Sequence, residues 1–264
     1  MSYPAKSYEL YMVPGLFAPW ASHLVHAANP QPGEDVLDVA CGTGIVARRV
    51  APRVGSQGTV VGLDLDPDKI DVARLAAERE GLAIEWHTGP AEQLPFPDGN
   101  FDLVLCQFGL MFFTDRHSAL TEMHRVLRKD GRILVSVWQE LERDLFYQVL
   151  DEVSRRYLGK SSVEAVFSLG DTHELRKLLT DAGFQEVEIE PVSIAARFSN
   201  PQEFLTWEIE VDPADAPALQ GLDHEAQKAI FVAIHQEMQR PLSEFRQGDQ
   251  VVMPSHAYLA HAKS

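Results

Sequence analysis

The feature that most constrains this chain is an alternation, between residues 36 and 138, of short apolar runs with longer segments of helical periodicity. This alternation is typical of repeated β–α–β units around a parallel sheet. Each run is apolar enough to be a strand that is buried on both faces. The predicted strands are Val36 to Ala40, Val60 to Asp64, Ile84 to His87, Phe101 to Gln107 and Ile133 to Trp138. We therefore predict an α/β fold with a doubly wound, mostly parallel sheet.

The helices between these strands are marked by their ends. After the second strand, Asp66 can cap a helix, Pro67 can take its first position, and Gly81 can stop it. The same reasoning predicts helices from Ile45 to Val54 and from Ala119 to Arg128. Each strand is thus followed by a crossover of the length that a parallel sheet requires.

The regular alternation is flanked by two less regular regions. An aromatic-rich, helical segment precedes residue 33, and a helix, a bend and a second helix follow Trp138. A sixth strand is predicted from Phe184 to Pro191, and a polar segment over residues 199 to 248 is predicted to form two or three helices. Residues 250 to 262 are predicted to form a last strand despite Pro254.

Composition narrows the classes of function. The net charge is −16, which disfavours nucleic acid as a partner because such binding depends on Lys and Arg that neutralise phosphates. We find no apolar run of about 18 residues and no signal-peptide pattern, so we expect neither membrane insertion nor secretion. A cytoplasmic location is expected instead. The only two cysteines, Cys41 and Cys106, are not spaced as metal ligands, and no metal is predicted.

The strongest local signal is the turn Asp38-Val-Ala-Cys-Gly42-Thr-Gly44, which joins the first strand to a helix. Its glycines and the distant Asp64 also fit the dinucleotide-binding fingerprint, so spacing alone permits a nicotinamide oxidoreductase. Asp38 discriminates between a nicotinamide cofactor and S-adenosylmethionine, because a carboxylate beside the turn repels a pyrophosphate but suits the ammonium and sulfonium groups of S-adenosylmethionine. Two alternatives stay open: Asp38 as a plain capping residue, and the glycines as a plain tight turn.

Four segments together carry a resemblance to a known family: Val36 to Gly44, Gly62-Leu-Asp64, Leu94 to Asp102, and Glu122 to Gly131. They resemble the class I S-adenosylmethionine-dependent methyltransferases, and more narrowly the branch of ubiquinone and menaquinone biosynthesis and other small-molecule methyltransferases. The resemblance implies a Rossmann-like sheet of seven strands with a reversed last strand. It also implies a cofactor that lies across the carboxyl ends of strands one, two and four.

The resemblance assigns cofactor contacts at several positions. Asp38 and the loop Gly42-Thr43-Gly44 would hold the methionine part, and Asp64 with Leu65 the ribose. Ala91 and Glu92 would flank the adenine, although the family commonly has Asp where this chain has Pro90. Gln107 and Phe108 would meet the methionine amino group and shape the side of the methyl donor.

The activity expected from this resemblance is transfer of a methyl group to a nucleophilic atom of a small-molecule acceptor. We expect Tyr8, Trp20, Met111 and Trp138 to form a lid or to contact the acceptor. No catalytic base is assigned, because none of the ten histidines has a spacing that defines one. The alternatives are a noncatalytic S-adenosylmethionine-binding protein and an NAD-dependent oxidoreductase. The acceptor, the methylated atom and the oligomeric state are not predicted.

One domain is expected for the whole chain. It is divided into five segments by their expected roles. These are an N-terminal lid (1–32), a cofactor-binding core (33–138), helices and a sixth strand (139–198), a helical cap (199–248) and a last strand (249–264).

Overall fold

The computed structural model describes residues 5–209 and 217–264, and its centre is a twisted sheet. Strands follow the spatial order β3-β2-β1-β4-β5-β8-β6, with β7 paired to β8 outside this path. The strands are β1 (Val36–Val39), β2 (Val60–Asp64), β3 (Glu85–Thr88), β4 (Phe101–Gln107), β5 (Leu127–Trp138), β6 (Gln185–Phe198), β7 (Arg246–Gln247) and β8 (Gln250–Lys263). The predicted α/β class with a mostly parallel sheet is confirmed.

The reversed strand is β8, which runs antiparallel to both β5 and β6. Its Pro254 is tolerated because β5 pairs with β8 only as far as Trp138 opposite Ala257. At Pro254 the chain has a partner on the β6 side alone, so the missing N–H breaks no second ladder. Beyond the body of the sheet, β6 and β8 therefore continue as a two-stranded arm.

The helices mostly begin and end where their capping residues predict. Asp66 accepts a hydrogen bond from the N–H of Asp68 (2.9 Å), and Pro67 is the first residue of α4. The helices are α1 (Ala5–Ser7), α2 (Ala18–Ala28), α3 (Ile45–Val54), α4 (Pro67–Arg79), α5 (Arg116–Val126), α6 (Leu145–Leu158), α7 (Thr172–Asp181), α8 (Pro201–Ile209) and α9 (His224–Ser243). Between α1 and α2 the chain continues as a wider π-type helix, Tyr8–Phe17.

Several boundaries differ from the prediction, including the start of the fifth strand, which lies at Leu127 rather than Ile133. The first strand ends at Val39 because Ala40 has a φ of 56° and turns the chain into the glycine loop. The helix predicted to reach Arg128 ends at Val126, since Leu127 already pairs with Phe101 in the sheet. The sixth strand continues from Pro191 to Phe198, where it pairs with β8 in the arm.

The N-terminal helical segment lies against the arm. At Gly15 a Cβ would lie 2.6 Å from the carbonyl oxygen of Arg197, so only glycine permits this approach. Trp20 is buried and donates from its indole nitrogen to Ser255 Oγ at 2.9 Å. The segment is thereby held across the carboxyl ends of the parallel strands.

Residues 199–248 contain α8, a short 3₁₀ turn at Pro217–Leu219, α9 and β7. This agrees with the helices predicted there, apart from the strand β7, while residues 210–216 lie outside the described part of the chain. Within the described ranges, we find no helix with the length and apolar character needed to cross a membrane.

Candidate active site

A cavity of about 1010 Å³ opens where β1, β2 and β4 end. The π-type helix, the start of α6, helix α8 and the arm of β6 and β8 enclose it from the other sides. Its walls include Tyr8, Met12, Phe17, Ala40, Gly42, Asp64, Leu65, Lys69, Ala91, Glu92, Gln107, Phe108, Phe112, Trp138, Asp144, Tyr147, Phe167, Phe198, Trp207, Glu208 and Met253. A volume at the upper end of the usual range leaves room for two small ligands together.

The glycine loop forms the floor of the cavity. Gly42 has a φ of 57°, which favours glycine, and a Cβ at this position would make van der Waals contact with the Tyr8 ring at 3.8 Å. Gly44 has a different role, because a Cβ there would lie 2.4 Å from Trp86, and this residue is not on the cavity wall. Of the two glycines, Gly42 lines the cavity beneath Tyr8 and Gly44 leaves space for packing.

Asp64 lies at the end of β2 with only 8% of its surface exposed. Its Oδ2 accepts from the N–H of Gly42 at 2.7 Å, and its Oδ1 accepts from the N–H of Asp66 at 3.0 Å. These bonds fix the carboxylate while leaving further lone pairs on both oxygens towards the cavity. Such a carboxylate can accept hydrogen bonds from two neighbouring hydroxyl groups.

Asp38 and Thr43 lie beneath the loop rather than on the cavity wall. Asp38 is 1% exposed, its Oδ2 accepts from the N–H of Ala47 at 3.0 Å, and its Oδ1 has no hydrogen-bond partner among the residues that the structure describes. Burial and the nearby Asp64 raise the pKa of Asp38 to about 8. Thr43 donates from Oγ1 to Glu9 (2.5 Å), which ties the loop to the N-terminal helix.

The wall beyond β3 contains the residues predicted to flank an adenine. Ala91 is buried, and Leu65 reaches the opening as an exposed side chain. Glu92 accepts from the N–H groups of Thr114 and Asp115 at 3.1 and 3.3 Å. Its carboxylate therefore holds the loop after β4, and the neighbouring backbone groups are left to meet a ligand.

Aromatic rings close the side of the cavity that follows β4. Phe108, with a φ of 54°, stacks on Trp138 with 3.8 Å between ring centroids. Gln107 donates to the carbonyl oxygen of Phe17 at 3.2 Å. Trp20 supports the stacked pair edge-on from behind, and neither it nor Met111 reaches the cavity wall.

Several polar wall residues were not identified from the sequence, among them Asp144, Tyr147 and Glu208. Tyr147 lies on α6 and donates to Glu208 on α8 at 3.2 Å, while Asp144 precedes α6. Helical periodicity gives no sign that these side chains face a cavity, because the two helices are far apart in sequence. The one local signal is an acidic residue next to an aromatic one, as in Trp207-Glu208, and it is weak.

Comparisons with known proteins agree with this geometry. Residues 37–135 match the family model of a methyltransferase domain. The Ubiquinone/menaquinone biosynthesis C-methyltransferase UbiE of Neisseria gonorrhoeae is 34% identical over 204 residues, covering 72% of this chain and 83% of that protein. Two solved structures share the fold. The YcgJ protein of Bacillus subtilis has a TM-score of 0.61 at 19% identity, covering 92% of this chain and 97% of that one. A SAM dependent methyltransferase from Aquifex aeolicus has a TM-score of 0.58 at 22% identity, covering 73% of this chain and 93% of that one.

The fold and the site together define a methyltransferase that uses S-adenosylmethionine. The chain belongs to the class I S-adenosylmethionine-dependent methyltransferases, in the branch that contains the UbiE C-methyltransferases. It transfers the methyl group to a small-molecule acceptor, and neither an oxidoreductase nor a noncatalytic role is favoured.

Proposed function

We propose that the single cavity holds S-adenosylmethionine over the ends of β1, β2 and β4 and the methyl acceptor beneath helices α6 and α8. The observation that carries this proposal is the continuity of the cavity from Gly42 and Asp64 to Tyr147 and Glu208. One enclosure with two chemically different ends is what a two-substrate transfer requires, because both reactants must lie within reach of each other.

The residues of the first end fit the cofactor. Asp64 accepts the two ribose hydroxyls, and the space over Gly42 takes the methionine part, with Gly44 and Thr43 shaping the loop. Ala91, Glu92 and Leu65 border the adenine. Gln107 and Phe108 border the methionine. Asp38 lies beneath the loop with an Oδ1 that has no partner among the described residues, and the ammonium group of the methionine would favour its charged form.

The chain itself contributes mainly position and exclusion of water. The bound sulfonium supplies an already activated methyl group. Alignment of two reactants contributes roughly 7–11 kcal/mol to lowering a barrier, so the rings of Phe108 and Trp138 act by fixing the direction of approach. Tyr8 covers Gly42 and contacts Trp207 with 5.9 Å between ring centroids, which joins the lid to the cap over the cavity.

The acceptor end favours an apolar, aromatic molecule. Its walls are built largely from Phe112, Tyr147, Phe167, Phe198 and Trp207. UbiE proteins are named for ubiquinone and menaquinone biosynthesis, and a ring of that general kind suits such walls. We extend the proposal to a carbon atom of an aromatic ring as the site of methylation.

The proposed division of the chain into segments follows from the proposed positions of the cofactor and the acceptor. Residues 1–32 act as the lid, 33–138 as the cofactor-binding core and 199–248 as the cap, while 139–198 and 249–264 supply α6 and the arm, all within one domain. We also propose a cytoplasmic location and no nucleic-acid partner, supported by two free cysteines and the charge of −16.

Calorimetric titration with S-adenosylmethionine, S-adenosylhomocysteine and NAD tests the cofactor site. We expect micromolar binding of the first two ligands and none of NAD, with weaker binding in Asp38→Ala and Asp64→Ala. Binding of NAD alone would contradict the proposal. Replacing residues 199–248 by a short linker should abolish acceptor binding and leave cofactor binding intact, and loss of both would contradict the role of the cap.

A further inference from the structure

The second end of the cavity carries a group of polar side chains with no role in holding the cofactor. We call Asp144, Tyr147 and Glu208 the acidic wall. All three line the cavity, and they come from two segments that are more than 50 residues apart in sequence. Carboxylates so enclosed are rare unless they are paired or bind a ligand.

Asp144 provides hydrogen-bonding capacity in this wall. It occupies the position before α6 at which an aspartate normally caps the helix, yet its side chain makes no capping bond. Only 9% of its surface is exposed, and no hydrogen bond to its carboxylate occurs among the described residues. Its carboxylate can therefore accept hydrogen bonds from a ligand, or from water, in the cavity.

Glu208 is held differently. The hydroxyl group of Tyr147 donates to its Oε1 at 3.2 Å, and within the described part of the chain the second oxygen of Glu208 has no hydrogen bond and can accept one. Burial raises the pKa of Glu208 to about 7, and the bond from Tyr147 acts in the opposite direction. Tyr147 stays protonated, since burial and the neighbouring Glu208 and Asp144 raise the pKa of its hydroxyl group.

Glu208 lines the same cavity as the cofactor loop. The preceding residue on α8, Trp207, contacts the Tyr8 ring, and Tyr8 lies over Gly42. Helix α8, which carries Glu208, is therefore packed against the segment that covers the cofactor loop.

We propose that Glu208 is the proton acceptor for the methyl acceptor, with Tyr147 as the residue that positions it. A hydroxyl group on the acceptor donates to the free oxygen of Glu208. The electron pair of the ring carbon beside that hydroxyl group forms the new bond to the methyl carbon, the sulfur–methyl bond breaks with its pair left on sulfur, and the hydroxyl proton passes to Glu208. The resulting ketone becomes aromatic again when the methylated carbon loses its hydrogen to water and Glu208 returns its proton to the oxygen. This inference rests on the proposed function, because it needs the cofactor at the other end.

A fluorescent phenol tests the assignment without requiring turnover. 2-Naphthol is a photoacid: in its excited state it passes its hydroxyl proton to an adjacent acceptor, and the resulting anion emits at longer wavelength. 2-Methoxynaphthalene has the same ring without that proton. Both are titrated into protein saturated with S-adenosylhomocysteine. We expect 2-naphthol to bind about tenfold more weakly to Glu208→Gln than to wild type, as for loss of a charged hydrogen bond, and its long-wavelength emission to disappear. Binding of 2-methoxynaphthalene should not change.

Further variants separate the roles within the wall. Glu203→Gln, on the same helix but outside the cavity, should behave as wild type. Tyr147→Phe should move the pH midpoint of 2-naphthol binding upwards, because the bond that favours the charged form of Glu208 is lost. A purely structural role for Tyr147 would leave that midpoint in place.

The other possible results would overturn the assignment of Glu208 or the proposed function. No binding of 2-naphthol by wild type, or equal binding and emission in Glu208→Gln, would overturn the inference. Loss of the emission in Asp144→Asn but not in Glu208→Gln would assign the proton to Asp144 instead. Failure to bind S-adenosylhomocysteine at the start would overturn the proposed function itself, so the two failures can be told apart.

Discussion

The two ends of the cavity differ in how their carboxylates are held. At the cofactor end, Asp64 and Glu92 each accept from two backbone N–H groups. At the acceptor end, Asp144 has no capping bond, and Glu208 is held by Tyr147. The first end is rigid before any ligand binds, and the second keeps its hydrogen-bonding capacity for a ligand. The comparison indicates that the cofactor end is ordered before its ligand binds, whereas the acceptor helps to order its own end of the cavity.

The largest effect should come from Asp64→Ala, which removes the fixed carboxylate of the cofactor end. Two hydrogen bonds from ribose hydroxyls to a charged group are lost, so we expect the Kd for S-adenosylhomocysteine to rise about 10²- to 10³-fold. Calorimetric titration measures this change, with the exposed Asp68→Ala on α4 as the matched control. A change of less than about threefold would mean that the cofactor end does not depend on this carboxylate.

Gly44→Ala tests whether the loop is fixed by packing. Its Cβ would lie 2.4 Å from Trp86 at a φ of 83°, so we expect a loss of about 3 kcal/mol in the free energy of unfolding. Gly81→Ala is the control, because its φ is 69° but nothing lies within 4 Å of the added carbon. That change should cost about 1 kcal/mol. Equal losses in urea denaturation would show that Trp86 does not constrain the loop.

Glu208→Gln tests the acceptor end through the pH dependence of the free energy of unfolding. The folded protein keeps a proton on Glu208 up to a pKa of about 7, whereas the unfolded chain releases it near 4.5. The free energy of unfolding of wild type therefore falls as pH rises through this window, and glutamine removes that loss. We expect the variant to gain on the order of 3 kcal/mol relative to wild type between pH 4 and pH 8. Thermal denaturation across this range measures it, and a constant difference would contradict the raised pKa.

The smallest effect concerns the lid that both ends share. Glu9 accepts from Arg48 at 2.6 Å and from Thr43. Glu9→Gln should cost about 1 kcal/mol of stability and weaken S-adenosylhomocysteine binding by about threefold, because the lid loosens over Gly42. The exposed pair Arg74–Asp71 is the control, and Asp71→Asn should change stability by less than about 0.5 kcal/mol. Equal effects of the two substitutions would argue against an anchored lid.

The cofactor end could be predicted from the sequence because its parts are local. A strand, a glycine turn and a helix follow one another from Val36 to Val54, and Asp64 ends the next strand, which pairs parallel to the first. The acceptor end could not, since Tyr147 and Glu208 meet only through the packing of α6 and α8. Trp20 and Met111 show the same limit. Their aromatic or apolar character suggested a lid, but only the fold reveals that they lie behind the wall.

Hydrogen–deuterium exchange with and without S-adenosylhomocysteine tests the division of the cavity most directly. We expect slower amide exchange in residues 40–44, 64–66, 89–92 and 107–109, with little change in α8 and at the start of α6. Slower exchange confined to α6 and α8, with an unchanged glycine loop, would contradict the account.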